Sequence, residues 1–177
     1  HRLLAGTSLD DGLFERLDPA NVPNLRELAP EAIDPAGYGP IVHSHNLALG
    51  YNTKRLTVEP PRGWADLWDA RFRGLVVPAT AELTPGLLFL LQANALNGGS
   101  YENLDPGFAA LQRLKPNLLR FYRSIGEVRP MLNNENAIVA VSTNVIQGEI
   151  ERGSPVAVVL PEEGCLASPA VAQSARE

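Results

Sequence analysis

The chain is poor in several things, and each shortage excludes something. It has 177 residues but one cysteine, Cys165, and one methionine. A lone cysteine rules out an internal disulfide and a cysteine-rich zinc site, though it does not fix the compartment. Positive charge is in the minority, with 15 Lys and Arg against 20 Asp and Glu and a net charge of -5. That balance argues against a protein that binds nucleic acid by neutralising phosphates. No apolar run approaches the length of a membrane span. The longest, "LLFLLQANAL", is interrupted by Gln92 and Asn94. There is no G-x-S-x-G elbow, no H-E-x-x-H pair and no P-loop. "NGGS", Asn97–Ser100, follows a helical pattern instead of joining a strand to a helix, so helix termination explains it. An initiator methionine, a signal peptide and a closing element after "AVAQSARE" are also missing, which leads us to expect a piece of a longer protein.

What is present is an ordinary globular composition, 45% hydrophobic and 20% charged, long enough for one domain with a proper core. Fifteen prolines sit largely at element boundaries. Residues 1–40 read as loop-rich, with two short helical turns separated by Asp18-Pro19 and Val22-Pro23. "IVHSHNLALGYN" is the first clear strand. A short helix is predicted over Trp64–Phe72, because Trp64, Leu67, Trp68 and Phe72 keep helical spacing. Leu75–Val77 reads as a short buried strand. Thr84 as N-cap, Pro85 in the first turn and Gly98 as the stop define a helix that is apolar nearly all round and therefore central. Asp105 and Pro106 repeat that start signal, and Ser124 with Glu127 has capping-box spacing. "AIVAVS" is a strand, "TNVIQGEIERG" a helix ending at Gly153, and "PVAVVL" a last strand. Strands alternating with helices predict an α/β fold: a mostly parallel sheet, including Leu47–Tyr51, Leu75–Val77, Ile138–Val141 and Val156–Val159, with helices on both faces.

In such sheets ligands bind beyond the carboxyl ends of strands, near helix N-termini. Three stretches qualify. In the first, His43 and His45 flank Ser44, and period-two alternation puts both imidazoles on one face. The second is Pro78–Pro85, with Thr80 and Glu82. The third is "VSTN", where Ser142, Thr143 and Asn144 offer hydroxyls, an amide and free backbone N–H groups to an oxygen-rich ligand. Capping alone is the competing explanation for Thr84 and for Ser142 or Thr143. A metal site, a catalytic pair and the lip of a ligand cleft are all open for the histidines. Zinc would need at least a third protein ligand, and Glu82 is the obvious carboxylate in a neighbouring predicted loop, so no metal is expected. Cys165 has no histidine near it in sequence and reads as an inert thiol. No cofactor motif is present.

Five segments in one order, "GLFERLDPANVPN", "LALGYNTKRL", "GWADLWDARFRGLVVPAT", "NGGSYENLDPGFAALQRLKPN" and "GSPVAVVLPEEG", resemble the extracellular solute-binding proteins of bacterial ABC importers, in the spermidine/putrescine-type and iron-type branch. The resemblance implies a three-layer α-β-α lobe of a type II periplasmic-binding-protein fold. By this comparison residues 1–37 are a lead-in and hinge, 38–163 the second lobe, and 164–177 a return towards the first lobe. It implies an exported protein that captures a small polar ligand in an interlobe cleft and delivers it to a membrane permease, with no reaction catalysed. His43, Ser44 and His45 become cleft-wall residues, alongside Thr80, Glu82, Ser142, Thr143 and Asn144. Polyamine-type members carry an aromatic box and an acid where this chain has Val141, Ser142 and "CLASP", so a polyamine is not the expected ligand. Tyr122 stands alone where iron-type members use adjacent tyrosines. Two other readings stay open. One is an α/β enzyme of hydrolase or transferase type, with His43 or His45 as base; it requires a nucleophile or second base nearby. The other is self-association of an isolated lobe through an exposed apolar patch.

Overall fold

The computed structural model describes residues 12–172 and 174–175. Its strands are β1 (Phe14–Glu15), β2 (Ile41–Asn52), β3 (Val76–Val77), β4 (Ile138–Ser142), β5 (Val156–Val159), β6 (Ala167–Val171) and β7 (Ser174–Ala175). Its α-helices are α1 (Thr84–Leu96), α2 (Asp105–Leu114), α3 (Val128–Asn134) and α4 (Thr143–Glu151). The chain divides into two compact units, His1–His45 with Ser168–Glu177, and Asn46–Ala167. Strands β2 and β6 each run from one unit into the other, and β6 pairs with β2.

The second unit holds the core. Its strands lie in the order β3-β4-β2-β5. Alternation along β4 sorts side chains to two faces. Ile138 and Ala140 join Leu47, Leu49, Val76, Trp64, Phe72, Leu88 and Phe89 in one apolar cluster. Val139 and Val141 join Ala48, Val77, Leu132, Met131 and Ile146 in the other. Helix α1 therefore covers one face, and α3 with α4 the other, which is the three-layer α/β architecture expected. Strand β2 is buried on both faces from Leu47 to Gly50 because it lies between β4 and β5.

The sheet is not mostly parallel. Strands β3 and β4 pair parallel, but β2 is antiparallel to both β4 and β5. A strand reached through a crossover helix becomes parallel to its neighbour, but β2 is reached by the chain from the first unit, with no crossover helix to impose that direction.

Helix α1 is central as expected, with Leu88, Phe89, Leu90, Gln92, Ala93 and Asn94 buried. The polar residues that interrupt its apolar run have a structural use. The Asn94 side-chain amide donates to the carbonyls of Ser100 (2.8 Å) and Asn103 (3.1 Å), and its Oδ1 accepts from the Gly107 N–H (2.9 Å), which fastens α2 to α1. The cap positions shift by one residue. Thr84 and Asp105 are the first helical residues, Leu83 and Leu104 occupy the caps, and neither cap makes a side-chain bond. Pro85 and Pro106 fit the second helical position as well as the first, so the prolines did not fix the start.

The helix expected over Trp64–Phe72 is two 3₁₀ turns, Ala65–Trp68 and Ala70–Phe72. Asp69 between them is extended, and its carboxylate accepts from the Arg71 N–H. Asn117 donates to the carbonyls of Leu67 (2.7 Å) and Asp69 (2.8 Å), groups that a continuous helix would use internally. Trp64, Leu67 and Phe72 are still fully buried.

In the first unit, of the two helical turns expected within residues 10–28 only the second forms, as a 3₁₀ turn at Pro23–Glu27, and a further 3₁₀ turn lies at Pro30–Ala32. Phe14–Glu15 instead pairs with Ser174–Ala175 as an antiparallel ribbon. No residue from 12 to 35 is buried, in contrast to the sheet of the second unit. Among the described residues no helix is long and apolar enough to cross a membrane.

Candidate functional site

The candidate site of the second unit is an edge of its sheet. Strands β3 and β4 run parallel, so their carboxyl ends lie side by side. Because β2 runs the other way, Leu47, midway along β2, pairs with Ser142, the last residue of β4. Antiparallel entry thus puts the middle of β2 against the end of β4, with the end of β3 on the far side of β4.

Strand β4 passes into α4 with no loop. Ser142 occupies the cap position with extended backbone angles (φ -62°, ψ 140°) and is buried, yet no side-chain cap bond is made there. Thr143 is half-buried and Asn144 exposed in the first turn of the helix. The first N–H groups of a helix have no acceptor within it, so this turn presents donors at the edge. Capping by a hydroxyl accounts for neither Thr84 nor Ser142.

Beyond β3 the chain is held by parallel bonding to the segment around Tyr122. The Tyr122 N–H donates to the Pro78 carbonyl and the Thr80 N–H to the Tyr122 carbonyl, at 3.1 and 3.0 Å. The Tyr122 ring is fully buried, its hydroxyl donates to the Ala140 carbonyl (2.9 Å), and burial pushes its ionisation far above the usual range. It is a core tyrosine. Gly86 allows α1 to begin against this loop, since a Cβ there would lie 2.1 Å from the Thr80 carbonyl oxygen. Thr80 is half-buried and Glu82 exposed. The Thr80 hydroxyl, the Glu82 backbone N–H and the nearby charge of Arg123 hold the Glu82 carboxyl below its ordinary range. Arg123 was not singled out in the sequence; only its position after Tyr122 in the bridging segment marks it.

His43 and His45 lie on one face of β2, in the first unit. Their Nε2 atoms are 2.8 Å apart, with ring centroids 4.5 Å apart and planes at 80°. His43 is exposed and His45 half-buried. Partial burial, then the neighbouring His43, lowers the pKa of His45 from 6.5. Ser44 lies between them in the strand and is exposed. The eight residues are thus divided: Thr80, Glu82, Ser142, Thr143 and Asn144 share the edge of the second unit, and His43, Ser44 and His45 belong to the first.

Among the described residues no group of three or more His, Cys, Asp or Glu is arranged to hold a metal ion. Cys165 is half-buried, and burial raises its pKa, so it is a thiol and not a thiolate nucleophile.

A different contact explains two of the segments that carried the resemblance. Glu163 of "LPEEG" accepts hydrogen bonds from the backbone N–H groups of Trp64 (3.0 Å) and Ala65 (2.9 Å), and the Trp64 indole donates to the Gly164 carbonyl (2.9 Å). Both motifs build this junction.

The comparisons with known proteins agree with one another. The profile described as bacterial extracellular solute-binding protein matches residues 4–177. The gamma-aminobutyric acid-binding protein of Pseudomonas aeruginosa is 30% identical over 120 residues, which are 62% of this chain and 32% of that protein. The spermidine/putrescine-binding periplasmic protein of Escherichia coli is 23% identical over 161 residues, 87% of this chain and 46% of that one. Among solved structures, an ABC transporter protein from Clostridium perfringens aligns with a TM-score of 0.77 at 24% identity, covering 92% of this chain and 52% of the other. A periplasmic thiamin binding protein aligns with a TM-score of 0.71 at 21% identity, covering 97% and 52%. The chain thus spans about half or less of the length of these relatives, and the structural likeness at such identities speaks for the fold. With the profile matched over nearly its whole length, the chain belongs to the family of bacterial extracellular solute-binding proteins.

Proposed function

We propose that this chain is part of a solute-binding component of an ABC transport system, exported from the cytoplasm, that captures a small polar ligand and delivers it to a membrane permease. Residues 38–163 serve as its second lobe, between a lead-in at 1–37 and a return segment at 164–177. The observation that carries this reading is the family match over residues 4–177. It is supported by an edge where strand ends and one helix start bring Thr80, Glu82, Ser142, Thr143 and Asn144 together. His43, Ser44 and His45 contribute from the strand that enters the lobe.

The edge offers both signs: donors from the first turn of α4 for a carboxylate or other oxyanion, and the Glu82 carboxylate for a cation. A zwitterion such as an amino acid suits that pairing, and one relative is named for gamma-aminobutyric acid. A polyamine suits it less, because Val141 is buried and no aromatic ring stands at the end of β4. Catalysis is not part of the proposal. Cys165 is a protonated thiol, and the family and its structural relatives are transport binding proteins.

The test is isothermal titration of the protein with gamma-aminobutyric acid, α-amino acids, organic acids and spermidine. Saturable binding of a zwitterionic or anionic solute supports the reading. Binding of spermidine alone, or turnover of any of these solutes, refutes it.

A further inference from the structure

We infer that His43 and His45 form a two-histidine chelate for a square-planar divalent transition metal, Cu(II) foremost, at an exposed position of β2. This goes beyond the transport reading and does not depend on it. The argument starts from the strand. Residues two apart share a face with no backbone adjustment, so both imidazoles reach the same side by the regular geometry of β2 alone. Their Nε2 atoms converge to 2.8 Å with the rings steeply inclined, at 80°. Two nitrogens bound at about 2.0 Å and subtending a right angle are about 2.8 Å apart; at the tetrahedral angle they are about 3.3 Å apart. The observed spacing fits the square-planar bite and is too short for the tetrahedral one.

Ligand chemistry points the same way. Imidazole pairs suit Cu(II) and Ni(II), and at a given nitrogen site copper binds most strongly of the divalent first-row metals. A structural zinc site would need more protein ligands, and among the described residues no third His, Cys, Asp or Glu completes one. A two-ligand chelate leaves equatorial positions for water or for a small molecule with oxygen or nitrogen donors. His43 is exposed, so those positions are reachable from solvent. Only neutral imidazoles bind metal; without an ion the pair shares one Nε2–H···Nε2 hydrogen bond, and the donor ring must shift that proton to Nδ1 and turn slightly for both Nε2 lone pairs to face one ion.

His1 supplies the remaining imidazole of the sequence and is the competing ligand; it lies outside the described residues. The test titrates CuCl₂ into the protein and into its His1→Ala, His43→Ala, His43→Gln and His45→Ala forms. Affinity is read by calorimetry and the ligand set by pulsed electron paramagnetic resonance, with circular dichroism to confirm the fold. The expected result is one Cu(II) held by two equatorial imidazoles in His1→Ala, and the same two-imidazole signal in the parent beside any contribution from His1. Each change at His43 or His45 leaves at most one imidazole and weakens binding about tenfold or more, the loss that follows even from removing an outer-shell partner. Unchanged copper spectra in His43→Ala or His45→Ala overturn the assignment. So does loss of the signal in His1→Ala alone.

Discussion

Glu163 fastens the backbone at Trp64: its carboxylate accepts from the N–H groups of Trp64 and Ala65, close to a hundred residues earlier in the chain. Gly63 makes the approach feasible, since a Cβ there would lie 2.2 Å from a Glu163 carboxylate oxygen. Burial opposes ionisation of Glu163, yet the backbone donors of Ala65, Glu163 and Trp64 outweigh it and hold the carboxyl below its ordinary value of 4.5. The sign follows directly. A carboxyl with a depressed folded-state pKa contributes stability that is complete above 4.5 and is lost as pH falls through the folded value. Glu163→Gln should destabilise by about 1 kcal/mol near neutral pH, a figure kept low because the side chain is exposed. The deficit should shrink below pH 4.5. Urea unfolding at a series of pH values measures it. A deficit that stays constant down to low pH would show that the charge is irrelevant.

Gly63→Ala should remove the same bonds by displacing a flexible carboxylate, so its effect should overlap with that of Glu163→Gln. The double variant is expected to fall short of the sum of the singles by about 0.5 kcal/mol or more. Strict additivity in a double-mutant cycle would separate the two residues.

This junction marks the boundary of what the sequence reveals. Strands β4 and β5 were legible from short β-branched runs, and α1 from Pro85 and Gly98, because those signals are local. The shared face of His43 and His45 followed from strand periodicity, and the positions of Thr80 and Glu82 beyond β3 and of Ser142 at the end of β4 from strand boundaries alone. The direction of β2 was not legible, since a run such as "LALGYN" looks the same beside a parallel or an antiparallel neighbour. The break at Asp69 depends on Asn117, and the anchoring of Trp64 on Glu163. Both are distant side chains that no window of sequence contains.

Gly50 sits where β2 crosses beneath α3 and α4. A Cβ there would meet Ile146 at 2.9 Å and Leu132 at 3.0 Å, both fully buried. Gly50→Ala should overpack this layer and cost about 1–3 kcal/mol, read as a lower midpoint in thermal unfolding. Gly39, in the first unit, faces a harder obstacle: a Cβ would lie 1.8 Å from the backbone oxygen of Ala172, and the residue has φ +157°. Gly39→Ala should break the bond from the Ala172 N–H to the Pro40 carbonyl. Faster hydrogen exchange at the Ala172 amide, with the amides of β4 unchanged, is the expected result.

Glu149 is 2% exposed and fully partnered. Asn133 and Ser154 donate to it at 2.7 and 3.2 Å, and Arg129 and Arg152 approach to 3.3 and 2.8 Å. Burial opposes its ionisation, but Asn133, Arg129, Ser154 and Arg152 together keep the carboxyl below its ordinary range. Glu149→Ala removes the shared acceptor of Asn133, Ser154 and Arg152 and should cost about 2–3 kcal/mol. Arg129→Ala and Arg152→Ala, each removing one largely exposed partner, should cost under about 1 kcal/mol. Equal losses for all three in chemical denaturation would count against a buried anchor.

The site residues should separate binding from stability. Thr80, Thr143 and Asn144 are at most half-buried, and His45 lies in a stretch of β2 with little core around it. Thr80→Ala and His45→Ala should each weaken capture of the solute by about 1–2 kcal/mol, the worth of one hydrogen bond, while the empty protein melts as before. Ser142 is the more demanding case. It is buried at the junction of β4 and α4 but makes no cap bond through its side chain, so Ser142→Ala removes no bond of the empty fold. It should therefore behave like the exposed positions: affinity falls by a similar amount and the melting temperature holds. Glu82→Gln distinguishes the sign of charge recognised there. Weaker binding of a zwitterion with unchanged binding of a simple organic acid places the ammonium group at Glu82. If instead Ser142→Ala lowers the melting temperature and leaves affinity intact, the hydroxyl belongs to the fold, and the ligand-facing assignment of this edge fails at its centre.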